Sequence, residues 1–128
     1  MIERDFQSIF TKWLKINWRT SAAFELKLTK IDNLPFAAVK EHQLIGLWNA
    51  KNTQVVYKLS DVSFGKKPFD EFVLSGAESY IAIMFYKPNS KHQFYLIEIS
   101  DFLEEKKKSE RKSLTEERAS EIGKLILI

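Results

Sequence analysis

Hydrophobic positions define the first element directly. Phe6, Ile9, Phe10, Trp13 and Leu14 recur at i, i+3, i+4, i+7 and i+8, the stripe of an amphipathic helix predicted over residues 3–15. After Asn17 the period changes. Phe24, Leu26 and Leu28 alternate with Glu25, Lys27 and Thr29, which predicts a strand with both charges on one face. A turn at Ile31-Asp32-Asn33 leads into Pro35, which the first turn of a helix tolerates. Val39, Leu44, Leu47 and Trp48 then continue at near-helical spacing toward a predicted end at Ala50.

Downstream the pattern is mainly that of strands. Residues 55–59 form a short β-branched and aromatic run, and a polar loop over 60–67 follows with Gly65 in it. Residues 69–74, 80–86 and 94–99 predict three more strands, with hairpin turns at 75–77 and 87–91. The uninterrupted apolar run 80–86 suits a central strand covered on both faces. Charged residues fill 104–112, read as solvated helix or connector, and Ser113 followed by Glu116 has capping-box form. That box predicts a last helix carrying Ile122, Leu125 and Ile126. The expected fold is α/β (α+β), a central mixed sheet of about four to five strands flanked by helices. Residues 1–102 form its body, and 103–128 a charged connector and C-terminal helix of the same domain.

Composition narrows the class. A chain of 128 residues holds one ordinary domain. With 45% hydrophobic residues, 4 Gly and 3 Pro it is neither disordered nor collagen-like. The absence of Cys excludes a disulfide scaffold, a thiolate zinc site and a cysteine nucleophile. The acidic start lacks an apolar run, so no signal peptide is expected, and no stretch approaches the ~18 apolar residues of a membrane span. The expected location is cytoplasmic, or the host-cell cytoplasm for a viral protein. A formal charge of +3 names no partner by itself. Residues 101–124 balance seven acids against seven bases, however, so the whole excess lies in the first hundred residues.

Candidate chemistry centres on Glu25 and Lys27, which project from one strand face about 7 Å apart and can share one phosphate. A carboxylate there can hold Mg²⁺ through hard oxygen ligands, and the lysine can stabilise developing charge. The same triplet also fits an exposed strand face. A further carboxylate comes from Asp70, at the opening of a strand, or from Asp61, which equally fits a turn role. Gln43, on the following helix, can orient water or bond a phosphate oxygen, and Lys40, Lys66 and Lys67 are placed to contact phosphates. His42 and His92 lack metal-ligand spacing.

A first helix, a strand ending in Phe24-Glu25-Leu26-Lys27 and a helix with Lys40-Glu41-His42-Gln43 resemble the PD-(D/E)XK nuclease superfamily. The likeness is to its Holliday junction resolvase branch, with the RecU-like enzymes, and covers residues 3–100. It implies a restriction-endonuclease-like core and a Mg²⁺-dependent endonuclease, with Mn²⁺ as the other cation, acting on branched DNA in recombination or repair. Glu25 is then a metal ligand, the Leu26 carbonyl completes the metal shell, Lys27 is the catalytic lysine, and Glu3 matches an additional acidic position. It further implies a homodimer. Members place a metal-binding Asp on the strand before the Glu-x-Lys strand, and here no Asp or Glu lies between the first helix and Glu25. Asp70 is the expected replacement, with Asp61 next. The alternative is a non-catalytic nucleic-acid- or protein-binding module on the same fold.

Overall fold

A computed structural model describes residues 1–18, 22–52, 55–58, 71–74 and 78–128, with backbone pairing alone for 55–58 and 71–74. In chain order these form α1 (Glu3–Asn17), β1 (Ala22–Thr29), β2 (Asn33–Pro35), a 3₁₀ turn (Phe36–Ala38) and α2 (Glu41–Asn52). The hairpin strands β3 (Val55–Lys58) and β4 (Glu71–Leu74) come next, then β5 (Glu78–Phe85) and β6 (Gln93–Glu98). The chain continues with α3 (Ile99–Lys108), β7 (Ser113–Thr115), α4 (Glu116–Ile122) and β8 (Lys124–Leu127). The architecture is α+β, a mixed four-stranded sheet of order β1-β5-β6-β8 with helices against both faces.

β5 organises the sheet. It pairs parallel with β1 and antiparallel with β6, and Ile81 through Phe85 are all buried. Alternate residues sort into two cores. Ala82, Met84, Phe94 and Leu96 face α1, where Phe6 and Phe10 hold Phe94 between them at ring distances of 5.7 and 5.5 Å. Ile81, Ile83, Phe85, Tyr95 and Ile97 face the other way, against Leu44 and Leu47 of α2, Ile99 and Phe102 of α3 and Ala119 of α4. Among the described residues no helix is long and apolar enough to cross a membrane.

Several local readings are overturned by long-range pairing. The helix expected to open at Pro35 starts six residues later, because 33–35 is a strand, antiparallel to 113–115. Ser113 therefore caps nothing; Thr115 accepts from Arg118 N–H at 3.2 Å and caps α4 instead. Leu125 and Ile126 are not helical but lie in β8, where Ile126 packs on the α1 side of the sheet. The ladder with β6 and the partial burial of Ile126 outweigh the differences of at most ~0.7 kcal/mol among ordinary helix propensities. Ile99 opens α3 rather than closing a strand, since Glu98 accepts from Ser100 and Asp101 N–H and caps that helix. The 87–91 turn does join the antiparallel pair β5 and β6, with Asn89 at φ 63°. β4 pairs with β3 and not with β5, and the 75–77 turn and 60–67 loop lie outside the described residues. The C-terminal quarter is thus no connector: it supplies β8 to the sheet and β7 to the start of α2.

Two glycines give opposite expectations. A Cβ on Gly123 would lie 2.8 Å from Ile97 Cγ1 and 2.9 Å from the carbonyls of Ala119 and Leu96, whereas one on Gly46 meets nothing within 4 Å. Gly123→Ala should cost about 1–3 kcal/mol through overpacking, and Gly46→Ala should stabilise α2 by about 0.5–1 kcal/mol. Thermal melts of the two variants check both signs.

The buried Tyr95 donates its hydroxyl to Glu116 Oε2 at 3.1 Å, and Lys87 Nζ donates to Glu116 Oε1 at 2.7 Å, tying α4 to the sheet. Burial, then the bond to Glu116 and its charge, push the Tyr95 phenol from 10.0 up to about 12. A raised folded-state value stabilises below the unfolded one and is lost as pH climbs through the higher. Stability contributed by protonated Tyr95 should therefore be intact below pH 10.0 and vanish across 10.0 to about 12. Tyr95→Phe should flatten that arm of the melting-temperature profile.

Candidate active site

The alternation of β1 fixes what each side chain can reach. Phe24, Leu26 and Leu28 pack toward α1, so Glu25 and Lys27 project from the opposite face, the side covered by α2. The parallel register sets Glu25 opposite Ile81 and Lys27 opposite Ile83, two buried residues that give the charges an apolar floor. The Glu25 and Lys27 side chains are 27% and 16% exposed, enclosed yet open to solvent. Lys27 Nζ stands 3.5 Å from Glu25 Oε1. That exceeds the ~2.7–2.9 Å of a tight charge-assisted bond, so the ammonium faces the carboxylate and keeps donors for another anion.

Gln43 completes the cluster. Lys40 N–H, at the head of α2, donates to Gln43 Oε1 at 2.8 Å, which is half of a capping box. With its oxygen held there, the amide must turn its NH₂ outward, and Nε2 donates to Glu25 Oε1 at 2.9 Å. The start of α2 is in turn fixed by β2 on β7, by Phe36 N–H on Lys112 O at 3.0 Å, and by Phe36 packed edge-on to Phe102 at 5.6 Å. Sequence reasoning identified Gln43 but not the segment that aims it, because residues 113–115 carry no local mark of pairing with 33–35.

The Leu26 carbonyl also has a definite direction. Tyr86 N–H donates to Thr29 O at 2.8 Å, so the odd-numbered residues of β1 bond to β5. Alternation then points the Leu26 carbonyl to the outer edge of the strand, where no strand pairs among the described residues. A carboxylate and an edge carbonyl are hard oxygen donors and suit Mg²⁺ or Mn²⁺. They fit such an ion but fall short of holding it alone, since the described residues contain no group of three His, Cys, Asp or Glu able to bind a metal.

The other expected residues divide. Lys40 is exposed beside the cluster through its backbone bond to Gln43. Glu3 is exposed in the first turn of α1, the helix on the opposite face of the sheet from Glu25 and Lys27. Asp61, Lys66, Lys67 and Asp70 lie outside the described residues. An ionic group that the sequence did not signal sits where α2 ends: Lys51 Nζ bonds Glu98 Oε1 and, at 2.7 Å, Ser100 Oγ. It pins that end of α2 to the start of α3, so both ends of the helix bearing Gln43 are anchored.

Comparison of the chain with protein-family models, curated proteins and solved structures finds no match.

Gln43 makes two bonds, each worth about 0.5–1.5 kcal/mol net, so Gln43→Ala should destabilise by about 1–3 kcal/mol. Gln43→Glu should cost more at neutral pH, because it sets a second carboxylate against Glu25. Melting curves of both variants at neutral pH test this, and a Gln43→Glu variant as stable as wild type rules the contact out.

Proposed function

We propose that this protein is a metal-dependent DNA endonuclease of the Holliday junction resolvase type, hydrolysing phosphodiesters in branched DNA. The observation that carries the reading is the convergence of Lys27 and Gln43 on one carboxylate oxygen of Glu25, at 3.5 and 2.9 Å, on the face of an edge strand. Glu25 and the Leu26 carbonyl would hold Mg²⁺, with Asp70, or else Asp61, as the second carboxylate. Bound there, the ion supplies charge neutralisation at the phosphate and lowers the pKa of the attacking water. Lys27 places its ammonium against the phosphoryl oxygens as negative charge grows. Gln43 holds Glu25 in one orientation, and Lys40, Lys66 and Lys67 bind the flanking phosphates. Cutting two strands of one junction calls for a homodimer with two such sites.

One observation favours a second reading. Glu25 Oε1 is already satisfied by Lys27 and Gln43, as in a purely structural polar cluster. A non-catalytic nucleic-acid-binding module would keep that arrangement and need no cation.

Cleavage assays on four-way junctions, flaps, nicked and linear duplexes, with Mg²⁺ or Mn²⁺, separate the two. On the nuclease reading Glu25→Ala, Lys27→Ala and Asp70→Ala each lower cleavage by at least ~10²-fold, as removal of a transition-state group does, and leave DNA binding largely intact. If wild type cuts none of these DNAs with either cation, the enzyme reading fails.

A further inference from the structure

β8 is the last strand of the sheet, and among the described residues nothing pairs with its outer edge. A single hydrogen bond settles which groups that edge presents. Ile128 N–H donates to His92 O at 3.1 Å, making 92 and 128 a bonded pair. Bonded and non-bonded pairs alternate along an antiparallel ladder. With Phe94 opposite Ile126 and Leu96 opposite Lys124, the even-numbered residues of β8 turn to β6. Leu125 and Leu127 therefore turn N–H and C=O outward. Leu125, Leu127 and Ile128 are also 44%, 69% and 48% exposed. Edge strands are usually blunted by charge, proline, a bulge or a covering element, and β8 carries one charge, Lys124, at its beginning.

We propose that β8 is the docking strand for a second copy of this chain, paired antiparallel with its own equivalent about a two-fold axis through Ile126. The edge is complementary to itself. Centred on Ile126, Leu125 falls opposite the partner subunit's Leu127 and Leu127 opposite the partner subunit's Leu125. All four residues are of the outward-bonding kind, so every offered N–H and C=O is matched. Their exposed side chains meet on one face, and the two Ile126 residues form the non-bonded pair. The two lysines come to lie four residues out of register, about 14 Å apart, so like charges are not opposed. A centre on Leu125 sets Leu127 opposite the partner subunit's Gly123, outside the strand.

The pairing joins two sheets into one of eight strands, β1-β5-β6-β8 running into β8-β6-β5-β1. The two-fold relates one Glu25 cluster to the other across seven strand spacings of ~4.8 Å, and a twist of ~20–25° per strand turns the two sites apart along the joined sheet. The pairing does not rest on the nuclease reading.

The chain has no Cys, so a single introduced thiol reports the register. In a non-bonded antiparallel pair Cα atoms stand ~4.5 Å apart, within the ~4.4–6.8 Å range of disulfides. Ile126→Cys should oxidise to a covalent dimer, and Lys124→Cys should not. In sedimentation velocity wild type should be a dimer at micromolar concentration. Leu127→Pro removes an outward N–H without touching the β6 ladder, and should give a monomer with unchanged circular dichroism. Leu127→Lys should do the same by charge, should the proline variant fail to fold. A wild type that stays monomeric into the hundreds of micromolar overturns the proposal. So does a dimer that survives both Leu127 variants, or equal cross-linking at 124 and 126. A dimer with the predicted cross-link that cleaves no DNA removes the nuclease reading and leaves the pairing standing.

Discussion

β5 has no face for water. Its residues Ile81 through Phe85 are buried, so both sides of the strand must be covered, and the rest of the chain is arranged to do it. α1 closes one side with a cluster of aromatic rings around Phe94, and α2, α3 and α4 close the other. The parallel pairing of β5 with β1 adds a second requirement. Parallel neighbours need a crossover connection, and the one between β1 and β5 contains α2. A helix that must cross above β1 to cover β5 brings its first turn over the outward-facing charges of β1. The Glu25–Gln43 contact is a consequence of how β5 is buried.

The cluster is self-sufficient without a ligand. Glu25 Oε1 takes an amide bond and faces an ammonium, so the carboxylate is not left uncompensated on its apolar floor. Partial enclosure keeps the pair from being dissolved by water while leaving a solvent route to both groups. The long Lys27–Glu25 separation is what distinguishes this from a closed salt bridge. By contrast, Lys51 and Glu98 are in direct contact, with Glu98 also capping α3, and they serve as a clasp.

Legibility in the sequence followed the range of the interaction. α1, β1, β5 and β6 carry their own periodicity, and so did the shared face of Glu25 and Lys27. Gln43 was recognisable because its helix directly follows that strand. What could not be read were pairings between distant segments. Nothing within Asn33-Leu34-Pro35 states that it will meet Ser113-Leu114-Thr115, so Pro35 looked like a helix start and Ser113 like a cap. Leu125 and Ile126 continue a helical spacing from Ile122, and only the vacant edge of β6 makes them a strand. Thr115, two residues on, carries the same kind of hydroxyl as Ser113 and is the one that caps α4, because Ser113 lies at the start of the paired strand.

The pairing of β2 with β7 joins positions about eighty residues apart in the chain, and it holds the turn from which α2 departs. Closing so long a loop carries an entropy cost that local contacts do not share, and contacts of large sequence separation form slowly. Because α2 departs from that turn, the alignment of Gln43 on Glu25 depends on a segment far downstream in the chain.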